Sequence, residues 1–310
     1  MADKGGKKRK SATSATKETP LILDQFTTAD LRAWQRVSDS LEEFHVRLYY
    51  HLEGLRKVHQ QEIIESLQAA TPLSKEIERW ARIIDYKYSL EPLSAMGSLI
   101  LGGRFNIGNN INPSEFPPFS ALYIAENYPT AYAEKFGILD TGERDGLSGF
   151  ELALRKPSSF TSINISGRLN NLFDISNGKN FAKFLEIIKR FKMPYELKEL
   201  AKKVRVKPPY LVTNFPLMKR ALLATDWQAM PAQYQIPANP QIFGRLIRDA
   251  GYEGIIYPSV RGHGKCVALF PENFSGSDSY LELSDEPPDG ASRARLDSQT
   301  WGDLIRLSNA

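Results

Sequence analysis

The stretch "GGRFN", residues 102–106, puts two glycines ahead of Arg104, and "ALYIAENYPTAYAEKFG", residues 121–137, carries Tyr123 and then Glu134. Glycine admits close approach of another group and unusual backbone angles. A guanidinium delivered by such a turn can grip a phosphate or carboxylate with paired N–H bonds. Tyr123 shares a strand face with Ala121 and Ala125, small neighbours that leave open surface for a flat group to stack on. The competing reading is an ordinary core tyrosine. Glu134 borders the small side chains of Ala131 and Ala133, and is either a solvated helix charge or a site carboxylate. Ser259 stands four residues before His263, which invites a hydrolase reading. Yet "YPSVR" is not the Gly-x-Ser-x-Gly elbow that exposes a nucleophile. Neither a Gly-x-Gly-x-x-Gly fingerprint after a strand nor a Gly-Lys-Ser/Thr phosphate loop occurs.

The elements that must position these residues follow from hydrophobic spacing. From Leu31 to Val58 apolar residues recur every three or four positions, the stripe of an amphipathic helix. This predicts one long helix, or a pair broken near Gly54, ending about Gln68. His45, His51 and His59 lie in it without the spacing of a helical zinc site and read as surface or boundary residues. Ile77, Trp80 and Ile84 predict a second helix beginning near Ser74. "SALYIA" alternates as a strand, and Pro129 suits the first turn of a helix carrying Glu134. Residues 159–176 read as two strands joined at Ser166-Gly167. Residues 179–207 read as an amphipathic helical pair with ten Lys/Arg, for which a solvated basic face is preferred over a docking surface. Residues 240–274 give a helix, a glycine turn, a strand "GIIYPS", a glycine-rich loop and a strand "CVALF". After Gly276, Ser, Asp, Pro and Gly accumulate, and a poorly ordered tail with one short helix near Trp301 is expected.

Bulk composition sets the class. A chain of 310 residues with 42% hydrophobic and 25% charged residues can bury a sizeable core. No apolar run approaches the roughly 18 residues of a membrane span, and Cys266 is the single cysteine, so an internal disulfide is excluded and a cytoplasmic location is expected. Residues 1–20 hold six Lys/Arg against two acids, which accounts for the whole net charge of +4. That arm is too poor in apolar residues to fold. It is read as solvated, with contact to nucleic acid or another polyanion as the lesser alternative.

Taken in order, "GGRFN", "LYIAENYPTAYAE" and "GYEGIIYPSVRGHGKCVALF" resemble the RES-domain family, named for its arginine, glutamate and serine: toxins of bacterial toxin–antitoxin pairs and their solitary relatives. The resemblance covers about residues 78–275. It implies an α+β fold similar to the ADP-ribosyltransferase toxins, a split mixed β-core with NAD in the cleft as substrate and no metal. Carried across by position, Glu134, Arg104 and Tyr123 become catalytic, and Arg104, Tyr123 and Ser259 bind NAD. Arg82 in "ARIIDYKY" matches an upstream family arginine in approximate position. The implied roles are pyrophosphate binding by Arg104 and Arg82, stacking by Tyr123, a ribose contact by Glu134 and orientation by Ser259. Two departures stand out: a long segment between Arg104 and Tyr123, and the basic helices at 179–207.

The domain plan is therefore a disordered basic arm (1–22), a helical N-terminal extension (23–75), a RES-like NAD-binding domain (76–275, helical insertion about 178–225) and a mostly disordered tail (276–310). The expected activity is cleavage of the nicotinamide–ribose bond by hydrolysis or phosphorolysis in an intracellular toxin or defence effector, with an antitoxin or immunity protein as partner and no membrane. The alternatives are mono-ADP-ribosylation of a protein and a non-catalytic polyanion-binding module.

Overall fold

In the computed structural model residues 28–137 and 159–306 are described, so the basic arm at 1–22 lies outside them. In chain order the elements are α1 (Thr28–Val58), α2 (Gln60–Gln68), β1 (Leu73–Asp85), α3 (Met96–Leu101), β2 (Leu122–Ala125), α4 (Tyr128–Phe136) and β3 (Phe160–Asp174). Then come α5 (Ala182–Ile188), α6 (Tyr195–Lys203), α7 (Phe215–Leu222), α8 (Ala229–Tyr234), α9 (Asn239–Asp249), β4 (Gly254–Pro258), β5 (Lys265–Leu269), β6 (Tyr280–Leu283), β7 (Arg295–Leu296) and α10 (Trp301–Leu304). The class is α+β with a mixed sheet, with α1 and α2 preceding it and α5–α8 inserted between β3 and α9. No helix among the described residues is long and apolar enough to cross a membrane.

The sheet runs β1-β2-β5-β4-β3-β6-β7, and β1 also pairs with β3, so β1 bends round to join both ends of the four-strand run β2-β5-β4-β3. β3 and β4 are parallel and the other pairs antiparallel. Both faces are buried. Ile255, Tyr257, Cys266 and Ala268 point to a core made with α5, α7 and α9. Ile256, Val267 and Leu269 point to a second core with Trp80, Leu172 and Phe274. A period of two in each strand sends alternate side chains to opposite layers.

β1 corrects the helix expected from Ser74. The residues chosen for a helical stripe, Ile77 and Trp80, fall on either side of a register shift in a strand, where Arg79 has φ 50°. A bulge inserts an extra residue and resets the alternation, so two buried side chains three apart imitate helical spacing. The hairpin expected at Ser166-Gly167 is also corrected: β3 is one strand of 15 residues. Gly167 (φ 149°) is there because β6 passes close by. A Cβ at this position would sit 2.2 Å from the Tyr280 carbonyl oxygen.

At the other end, α1 runs straight through Gly54, and the break falls at His59. The tail expected to be disordered is, through residue 306, part of the domain. Leu281, Leu296 and Leu304 are fully buried in the second core, spacing too sparse to register as a hydrophobic pattern. Its entry is fastened by Glu253, buried at 2% exposure, whose carboxylate accepts from the backbone N–H of Asn170 and Asn171 and from the hydroxyls of Ser277 and Ser279. Removing that carboxylate strands buried donors that each cost about 1–3 kcal/mol when unpaired. Glu253→Ala should therefore lose at least about 3 kcal/mol of unfolding free energy, read as a lowered urea midpoint, with protease cutting appearing after residue 276.

Candidate functional site

α4 is set by its own sequence: the Asn127 side chain accepts from Thr130 N at 3.0 Å, Pro129 occupies the first turn, and Gly137 ends the helix in the left-handed region. This places Glu134 in the last turn, against the loop between β4 and β5. Glu134 Oε1 accepts from Ser259 Oγ at 2.6 Å and from Val260 N at 3.1 Å. Ser259 Oγ in turn accepts from Arg261 N (3.1 Å) and Gly262 N (2.7 Å). The hydroxyl has spent its one proton on the carboxylate and both lone pairs on amides, so it orients Glu134 and is not poised as a nucleophile. Glu134 Oε2 makes no hydrogen bond among the described residues. The Arg261 guanidinium completes the join by donating to the Glu134 carbonyl at 3.0 Å.

The Arg104 turn is clamped from several sides. The Tyr123 hydroxyl donates to Asn106 Oδ1 and accepts from Phe105 N, both at 2.9 Å. Asn106, wholly buried, donates to the carbonyls of Ser98 and Phe119. Gln241 on α9 donates to the carbonyls of Gly103 and Asn106. Both uses open to the glycines occur within the turn: Gly102 adopts the unusual backbone angle, φ 66°, and Gly103 admits the close approach of Tyr123, whose hydroxyl would lie 2.4 Å from a Cβ there. Arg104 itself is 5% exposed and donates through Nη1 to the carbonyls of Leu222 (3.3 Å) and Ala224 (2.7 Å). Its Nε and Nη2 have no hydrogen-bond partner among the described residues.

Arg82 is placed differently. Nε, Nη1 and Nη2 each donate to a carbonyl, those of Pro92, Tyr123 and Ser94. It ties β1, β2 and the segment before α3 together, and burial lowers its pKa to about 10. It borders the site as a structural clip with every nitrogen engaged.

Arg82, Arg104, Tyr123 and Glu134 line one cleft of about 570 Å³, with Tyr257, Arg261, Cys266, Trp227 and Gln228 also on its walls. That volume lies within the roughly 300–1,000 Å³ of small-molecule and cofactor sites. Ser259 stands behind Glu134. Burial pushes the Cys266 thiol far up, with the nearby Glu134 charge adding to it, so the thiol stays protonated and unreactive. Among the described residues no group of three or more His, Cys, Asp or Glu is arranged to hold a metal ion. Sequence reading missed Asn106, Gln241 and Arg261. Asn106 and Arg261 lie inside the quoted motifs, whereas Gln241 carries no local mark.

Burial raises the phenols of Tyr123 and Tyr257 well above the ordinary value of 10, and raises Tyr49 to about 12. The folded chain thus keeps protons that the unfolded chain releases near pH 10, so stability is full below that pH and falls as pH rises above it. Each such tyrosine should cost about 1.4 kcal/mol per pH unit between its unfolded and folded pKa. Urea midpoints measured from pH 8 to 11 should begin to fall as the unfolded Cys266 thiol ionises, at about pH 9, and drop more steeply above 10; a flat profile would contradict the buried phenols and thiol.

A comparison with family models matches the RES domain over residues 79–289. No curated protein matches the chain. Among solved structures it is similar to one chain in the crystal structure of the M.tuberculosis MbcT-MbcA toxin-antitoxin complex, at 14% identity and a TM-score of 0.38, covering 79% of this chain and 97% of that one. The family match takes in most of the chain and every strand of the sheet's central run but the start of β1, so the protein belongs to the RES-domain family.

Proposed function

We propose that the chain breaks the nicotinamide–ribose bond of NAD and acts inside the cell as a toxin or defence effector, with the ADP-ribosyltransferase-like chemistry associated with its family. The observation that carries the reading is Glu134: Oε1 is held by Ser259 and Val260 while Oε2 has no partner among the described residues, in a cleft shared with Arg104. Cleaving an N-glycosidic bond builds positive charge on the ribose, as in glycoside hydrolysis. A fixed carboxylate that accepts from a ribose hydroxyl stabilises that charge most in the transition state. Nicotinamide leaves with the C–N bonding electrons as a neutral base and needs no proton. A water or phosphate oxygen then bonds to the ribose carbon and sheds its own proton.

Arg104 fits the pyrophosphate because its position is already fixed through Nη1, leaving Nε and Nη2 to donate. The Tyr123 ring offers a surface for the nicotinamide or its ribose, although its hydroxyl is committed to the Arg104 turn. In this reading Ser259 and Arg261 hold Glu134, and Arg82 holds the cleft wall. An antitoxin or immunity protein would be the partner.

Incubated with NAD, the protein should release nicotinamide, and Glu134→Gln, whose amide oxygen still accepts from Ser259 and Val260, should reduce release by roughly 10³-fold with little change in melting temperature. Normal turnover by that variant would overturn the assignment. Omitting phosphate distinguishes the products: loss of turnover indicates phosphorolysis, and unchanged turnover indicates hydrolysis. Stable label from NAD on a discrete protein band would instead indicate ADP-ribosyl transfer.

A further inference from the structure

A second cavity, of about 330 Å³, lies between α1, the inserted helices and α9. Its walls are apolar: Leu48, Phe184, Ile188, Met218 and Phe243 face it, with the Tyr49 ring at one side. Three polar side chains interrupt them, His45, Asn239 and, on α1, the cationic Arg56. Arg56 Nε donates to Glu53 Oε2 at 2.8 Å, and Arg245 Nη2 donates to both oxygens of the same carboxylate, at 2.8 and 3.0 Å. One carboxylate between two guanidiniums leaves this cluster with a net charge of +1. Arg56 Nη2 is also the one buried side-chain nitrogen or oxygen among the described residues without a hydrogen-bond partner. An unpaired buried donor on a charged group is costly and calls for a partner.

We propose that this cavity binds an amphiphilic monocarboxylate, its apolar tail along the helices and its carboxylate on the Arg56 guanidinium. A single anionic head matches the single excess charge, and a tail matches the apolar walls. The site also touches the catalytic cleft through one short segment. Ala221, Leu222 and Met230 line the second cavity, while Trp227 and Gln228 line the cleft. The Leu222 carbonyl accepts from Arg104 Nη1. A ligand seated against Leu222 therefore presses on the segment that fixes Arg104, and occupancy of one site biases the other.

Isothermal titration of the full chain with decanoate tests the site without using NAD, so its outcome does not depend on the proposed activity. The expected result is saturable binding in the micromolar range, with 1-decanol at least tenfold weaker. Arg56→Met should erase that preference while Arg245 keeps Glu53 paired. Ala221→Phe, which fills the cavity from α7, should abolish binding at an unchanged melting temperature. Decanoate should also shift tryptophan fluorescence, and Trp227→Phe should remove the shift. Absent binding, equal affinity for acid and alcohol, or an unaffected Arg56→Met variant would overturn the site. Binding with no Trp227 response would overturn the coupling.

Discussion

The hydrogen bond from Ser259 Oγ to Glu134 Oε1 joins two segments 125 positions apart, and the geometry of the cleft depends on it. It fixes one oxygen of a carboxylate that would otherwise rotate freely at a helix end. The surrounding bonds make the join stiff. Val260 N reaches the same oxygen, Arg261 returns to the Glu134 carbonyl, and Gly264 N donates to Thr130 Oγ1 on the first turn of α4. Lys265 N donates to Glu126 just before the helix. α4 and the β4–β5 loop thus behave as one piece, and a carboxylate held this way needs no reorganisation to meet a ligand.

The opposite wall depends on a different principle, satisfaction of buried polar groups. Gln241 and the Tyr123 hydroxyl bond to one five-residue turn, and Asn106 ties that turn to the carbonyls of Ser98 and Phe119. Fully paired networks of this kind specify a single arrangement. The inserted helices take part as well, since the carbonyls that receive Arg104 belong to Leu222 and Ala224. This helical segment is thereby part of the cleft wall, although its basic character drew attention first. Its apolar faces do the packing, with Phe184, Ile187 and Met218 in the main core, while Lys198, Lys202 and Lys203 stay in water.

Closure of the sheet ties the two walls together. β1 carries Arg82, pairs with β3 along most of its length and meets β2 at Ala81–Ala125. β2 and β5 then set Tyr123 opposite Ala268 and Ala125 opposite Cys266, and β4 sets Tyr257 opposite Cys266. These positions share one face, which is why phenols, thiol and carboxylate meet in one cleft.

The sequence by itself determined the elements whose cause is local. Asn127, Pro129 and Gly137 bound α4, alternation marks β2, short apolar runs beside glycines mark β4 and β5, and the stripe from Leu31 marks α1. It also carried the family motifs, and with them Arg104, Tyr123, Glu134 and Ser259. Tertiary structure decided the rest, because the deciding contacts are remote in the chain. The bulge at Arg79 turned a helical spacing into a strand, and Gly167 proved to accommodate β6 where a turn was expected. Three isolated leucines and a buried Glu253 fastened a tail whose composition reads as loop. The roles of Arg82 and Gln241 rest on carbonyls 10 to 138 residues away. Spacing reports what a residue does to its neighbours in sequence; a hydrogen bond to a distant carbonyl exists only once the chain has closed.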